Sequence, residues 1–156
     1  MSKCAARQMA SSPNISFNLL EAEKLIAEAV KAGAKLVALP ENVALMGDHE
    51  SDKLKAKEVE GSGPIQNFLA TVAKKYAVWV VGGTIPMAGD DNNKARAACL
   101  VYNDKGERVG RYDKIHLFDV NVPGTNEVYR ESDSIEPGTG SLVVDTPFGK
   151  LGIAVC

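Results

Sequence analysis

The sequence predicts a layered α/β fold. Three observations carry that expectation: two amphipathic stretches with helical spacing, short apolar runs between and after them, and Gly or Pro at most junctions. The element order strand, helix, strand, helix, then five strands is that of helices covering a sheet.

Residues 3–9 are expected as a first strand, and Ser11-Ser12-Pro13-Asn14 as a turn. From Ile15 to Ala32, Leu19, Leu20, Ala22, Leu25, Ile26, Ala29 and Val30 recur at helical spacing. Glu21, Lys24, Glu28 and Lys31 form the opposite, polar face, and Gly33 follows as a stop. Lys35-Leu36-Val37-Ala38-Leu39 reads as a short buried strand stopped by Pro40, nearly all apolar and so expected to be covered on both faces. The polar segment 41–62 is expected as a loop with one helical turn in it. Residues 64–76 carry Ile65, Phe68, Leu69, Val72 and Ala73 as a second amphipathic helix, and 78–81 form another buried strand before Gly82-Gly83.

After a turn at 89–93, the runs 95–103 and 107–115 read as a hairpin joined by Asp104-Lys105-Gly106. Residues 119–140 are expected as a long Pro/Gly-rich loop. Residues 142–145 and 150–155 are read as two last strands around Pro147-Phe148-Gly149. Arg7 fits poorly, because a charge within a central strand is costly. It is expected to face solvent or to pair with a carboxylate.

Composition narrows the function. The 156 residues are enough for one core, and 45% hydrophobic with 24% charged residues is a globular balance. A net charge of -2 with scattered basic residues argues against nucleic-acid and anionic-membrane partners. No apolar run reaches the roughly 20 residues of a bilayer span. Cys4, Cys99 and Cys156 are widely spaced and odd in number, and no export signal is evident, which fits reduced thiols in the cytoplasm. Two isolated histidines do not supply a metal cluster, so no metal or organic cofactor is implied. Gly61-Ser62-Gly63 lacks the Lys-Ser or Lys-Thr of a phosphate loop.

Three reactive side chains stand at expected strand ends: Glu41 after 36–40, Lys114 after 110–113, and Cys156 after 151–155. Sites in layered α/β proteins gather at such ends. A thiol attacks only as thiolate and, with a free pKa of about 8.5, needs a base or a cation nearby. A carboxylate could take its proton, and an ammonium could hold an oxyanion. Taken singly, each residue also has a structural reading: a buried small hydrophobe for Cys156, a helix cap for Glu41, a solvated charge for Lys114.

The surrounding segments resemble the nitrilase superfamily of carbon–nitrogen hydrolases. Leu36-Val37-Ala38-Leu39-Pro40-Glu41-Asn42 resembles its catalytic-Glu segment, Gly110-Arg111-Tyr112-Asp113-Lys114-Ile115-His116-Leu117-Phe118 its catalytic-Lys segment, and 145–156 the strand leading to its nucleophile. All three stand in the family's order. The resemblance implies Glu41 as general base, Lys114 as oxyanion stabiliser and Cys156 as nucleophile. Glu131 matches a second carboxylate that orients the Lys or the substrate nitrogen; its structural alternative is a loop salt bridge, as with Arg130. The run 117–124 followed by Glu131-Ser132 is similar to the omega-amidase and deaminated-glutathione-amidase branch, which cleaves small amides of 2-oxo or dicarboxylic acids. Arg130 is the candidate cation for a substrate carboxylate, by charge and neighbourhood.

By this resemblance the fold is an α-β-β-α sandwich, of which residues 1–156 are the N-terminal portion of one domain about twice as long. The family's backbone N–H after the Cys, which completes the oxyanion hole, has no counterpart in this sequence. The chain alone is therefore expected to be inactive and poorly folded without a complementing C-terminal fragment. A homodimer or larger homo-oligomer is expected, with a small amide as substrate. Two rivals remain: a Cys156–His116 hydrolase, and a non-catalytic subunit or interaction module that keeps part of the fold. His49 carries no functional signal.

Overall fold

The computed structural model describes residues 2–156. β1 (Lys3–Ala6) and β2 (Ala34–Ala38) pair in parallel, and helix α1 (Ile15–Lys31) crosses between them. Asn14 caps α1: its Oδ1 accepts the Phe17 N–H at 3.0 Å. Helices α2 (Glu50–Ala56) and α3 (Pro64–Tyr76) lead to β3 (Trp79–Val81), which is parallel to β2. β4 (Ile85–Ala88), β5 (Ala95–Tyr102) and β6 (Arg108–Asp113) complete a six-stranded sheet.

The registers fix the order. Ala98 of β5 faces Ile85 on one side and Asp113 on the other, while Tyr102 faces Val80 and Arg108. β3 and β4 therefore run end to end along one side of β5, and β6 lies along the other. A small hairpin follows, β7 (Asp119–Asn121) with β8 (Val128–Arg130), then a 3-10 turn at Glu131–Asp133. β9 (Leu142–Thr146) and β10 (Gly149–Ile153) form a last antiparallel hairpin.

Alternation along the strands sorts the core into two layers. Val37 and Leu100 pack with Ile26, Leu69 and Val72 of α1 and α3. Their neighbours Leu36, Cys99 and Val101 point the other way, onto Val144 and Ile153 of the β9–β10 hairpin. Both faces of β2 and β5 are covered, as their apolar runs require. Gly110 lets the hairpin close on β6, since a Cβ there would come within 2.9 Å of Leu142 and Val144 side-chain atoms. The layers are thus helices, sheet and hairpin.

Several elements differ from the sequence expectation. The first strand stops at Ala6. Arg7 lies just beyond it on the sheet's edge, its N–H on the Ala38 carbonyl at 2.9 Å and its guanidinium on Glu28 at 2.6 Å. The segment 41–62 holds a seven-residue helix, α2, begun by the His49 N–H donating to Asp52 at 3.0 Å. β4 went unread because Gly82-Gly83 precedes it and Pro86 interrupts it. Pro86 still fits, because its carbonyl accepts the Glu58 N–H at 3.0 Å. The expected loop 119–140 contains β7, β8 and the 3-10 turn.

Gly61-Ser62-Gly63 has a structural explanation. The buried Glu58 carboxylate occupies the start of α3, accepting the Ile65 N–H at 2.6 Å, the Gln66 N–H at 3.0 Å and the Gln66 side-chain amide at 3.0 Å. An internal anion thus fills the place a phosphate would take. Gly63, at φ +146, leaves room for it; a Cβ there would overlap the Glu58 carboxyl group.

Candidate active site

β2 leaves the sheet through Leu39 and Pro40, so Glu41 emerges at its C-terminal end. Leu39 still donates its N–H to Val81 at 2.9 Å, which extends the sheet to the turn. β6 ends at Asp113. Lys114 keeps one more ladder bond, its N–H on Ala97 at 2.9 Å, and is 2% exposed. Its Nζ donates to Glu41 Oε1 and to Glu131 Oε2, each at 2.8 Å. The same Glu131 oxygen accepts the Phe118 N–H at 2.7 Å.

Burial disfavours the charged form of such an ammonium. The hydrogen bonds and charges of Glu131 and Glu41 outweigh it, and they hold the Lys114 pKa above its ordinary value. The cation is therefore secure at neutral pH. Glu131 pairs with Lys114 and not with its neighbour Arg130, contrary to the loop-salt-bridge alternative.

Cys156 lies three residues past β10 and is an exposed free thiol. A cavity of about 250 Å³ brings the candidates together: Glu41, Lys114, Glu131, Arg130 and Cys156 all line it. A more apolar cavity of about 340 Å³ meets it at Glu41 and Cys156, and Leu36, Val81, Cys99 and Leu151 line that one. Arg130 is exposed on β8; its guanidinium donates to Asn121 Oδ1 at 2.7 Å and to the Tyr129 carbonyl at 2.9 Å. His116 is exposed and is not among the lining residues of either cavity, so the geometry gives the Cys–His rival no support. His49 is exposed at the start of α2.

The sequence pattern of the carbon–nitrogen hydrolases matches residues 3–156. The chain belongs to the carbon–nitrogen hydrolase family. Its relatives include a deaminated glutathione amidase of Synechocystis sp., 40% identical across 97% of this chain and 56% of that protein. Omega-amidase NIT2-B of Xenopus laevis is 36% identical across 96% of this chain and 52% of its own length. This hydrolase-family chain thus falls in the omega-amidase-like branch of the nitrilase superfamily, and spans about half the length of the curated relatives it matches. Among solved structures, the NitFhit protein of C. elegans superposes on all of the chain with a TM-score of 0.84 at 26% identity; 39% of that protein is covered.

Sequence reasoning missed four lining residues of the cavity: Asn42, Lys53, Phe118 and Tyr129. The Phe118 and Tyr129 rings sit 5.3 Å apart at its rim. Phe118 ends the quoted Lys114 segment and Tyr129 stands two residues before Glu131, and that proximity was the available signal. Lys53 had none, since its helix was expected as loop. Asn42 stands at φ +54, a left-handed conformation that Asn tolerates better than most residues.

Proposed function

We propose that this chain carries the reactive half of a thiol amidase that hydrolyses a small carboxylic amide and releases ammonia. Glu41 takes the Cys156 thiol proton, and the sulfur adds to the amide carbonyl carbon. Lys114 holds the negative oxygen of the tetrahedral adduct. Collapse breaks the C–N bond, and the leaving nitrogen takes the proton from Glu41. The thioester left on Cys156 is then attacked by water, whose proton goes to Glu41. Expulsion of the sulfur returns the thiol and frees the acid. Glu131 keeps Lys114 aimed throughout, and Arg130 at the rim receives a substrate carboxylate. The omega-amidase and deaminated glutathione amidase relatives favour an acid-bearing amide.

The observation that carries this reading is the buried Lys114 ammonium shared between two carboxylates in a cavity that a free thiol also lines. An ammonium kept only for structure would have no need of an open thiol beside it.

Residues 1–156 act as the N-terminal portion of one hydrolase domain. Two facts support this: the half-length coverage of the relatives, and the width of the β9–β10 layer, a sheet of two strands beside one of six. A C-terminal segment seated there would extend the two-stranded layer, and the working enzyme is a homo-oligomer of the completed domain.

Intact mass after brief exposure to a small dicarboxylic monoamide tests the chemistry, with the chain alone and with a complementing C-terminal segment. The expected result is an acyl adduct on Cys156 and ammonia release in the complemented protein, both lost in Cys156→Ser. Absence of both in the complemented protein would leave a non-catalytic module.

A further inference from the structure

We propose that Gly83 and Thr84 are positioning residues that set the direction of the Glu41 carboxylate. This rests on the reading of Glu41 as the base, and adds to it the part of the fold that holds the base in place.

The turn carrying Glu41 has little of its own to hold it. It follows Pro40, which donates no N–H, and its next residue, Asn42, is left-handed at φ +54. Asn tolerates that conformation, and the surroundings fix where it points. They do so from the break between β3 and β4. The Asn42 N–H donates to Thr84 Oγ1 at 2.7 Å, and Thr84 is 2% exposed. One residue earlier, Gly83 stands at φ +62 with its Cα against the turn, so that any Cβ would overlap the Pro40 carbonyl oxygen. Gly82 closes the clasp by donating its N–H to Leu100 at 2.8 Å.

The break is therefore more than an interruption of a strand. It presses on the residue before Glu41 and ties the residue after it. Its other end is fixed in the sheet through Ile85, opposite Ala98 of β5. The Glu41 side chain reaches Lys114 from a backbone held at both flanks. A turn freed at either flank lets the carboxylate swing away from both Lys114 and the thiol.

Thr84→Val keeps the shape and removes the acceptor; Thr84→Ser keeps the acceptor and removes the methyl; Gly83→Ala forces the Pro40 carbonyl to move. Each is compared with the parent, both complemented by the C-terminal segment, by steady-state kinetics on an acid amide and by the carboxyl 13C resonance of Glu41. Thr84→Val and Gly83→Ala are expected to lower kcat at least tenfold with KM within about threefold, and to shift the Glu41 resonance. Thr84→Ser is expected to stay within about threefold of parent in kcat. A parent-like Glu41 resonance in Thr84→Val, or Thr84→Ser as impaired as Thr84→Val, would overturn the assignment. Full turnover in Glu41→Gln would instead sink the base reading, and the resonance test of the clasp would still stand.

Discussion

Replacing Glu58 by Ala removes the anion that begins α3, and the structure sets the scale of the damage. Two backbone N–H groups, of Ile65 and Gln66, lose a charged acceptor, and so does the Gln66 amide. A hydrogen bond to a charged group contributes roughly 1.5–3 kcal/mol net. The site is 6% exposed, so water replaces the carboxylate poorly. The lost interaction with the helix N-terminus adds about 0.3–1 kcal/mol. All three bonds end on one carboxylate, so their losses overlap and are not summed, and the variant should lose about 3 kcal/mol. For a chain of this size that lowers the melting midpoint by about 10 °C. Glu58→Gln should lose about half as much, because its amide nitrogen meets an N–H where an oxygen stood. Gly63→Ala alone collides with the Glu58 carboxyl, and most of that collision vanishes in the double variant with Glu58→Ala. The two changes should therefore be strongly non-additive. Thermal and denaturant melts of the parent and the four variants measure this. A Glu58→Ala midpoint within about 2 °C of parent, or simple additivity with Gly63→Ala, would refute the reasoning.

Other expectations follow from the same structure. Lys114→Met should lower kcat by about 10²–10³, the usual loss for one oxyanion donor, as read by steady-state kinetics of the complemented protein. The Lys114 pKa is raised by folding, so the stability from its ion pairs is full below pH 10.5 and is lost as pH rises through the folded value. The difference in denaturant midpoint between parent and Lys114→Met should accordingly shrink in strong alkali. Arg96 beside Glu136 lowers the carboxyl pKa from 4.5 to about 2, so that contribution is present above pH 4.5 and disappears as pH falls towards 2. Acid melts of Glu136→Gln should be flatter over that interval. Burial pushes the Cys99 thiol up to about 12, whereas Cys4 and Cys156 are exposed. Iodoacetamide should alkylate two thiols in the native protein and the third only after unfolding, by intact mass.

Elements whose signal was local were legible in the sequence. α1 and α3 were readable from apolar spacing because that same spacing packs Ile26, Leu69 and Val72 on the sheet. The β5–β6 hairpin was readable from its turn residues. β4 was not, because it is only four residues long and one of them is Pro86. α2 was hidden because it is short and polar, and Asp52 begins it through a backbone N–H, which composition does not reveal. At the site, Glu41, Lys114 and Cys156 stood out as polar ends of apolar runs. That Glu131 turns away from Arg130 towards Lys114 depends on how the β7–β8 arm folds back, which no nearby residue announces. Thr84 was invisible for the same reason: its partner Asn42 is 42 positions away.

The bond between Lys114 and Glu41 joins positions 73 apart in the chain. Closing so long a loop is entropically slow and is rewarded only when both ends are already held. Neither β2 with its exit turn nor the β5–β6 pair can place its own charge without the other. A partly folded chain, even one with its helices formed, therefore has no preassembled reactive centre. The ion triad therefore exists only where the sheet has brought the ends of β2 and β6 together, so reactive charge and finished architecture come as one.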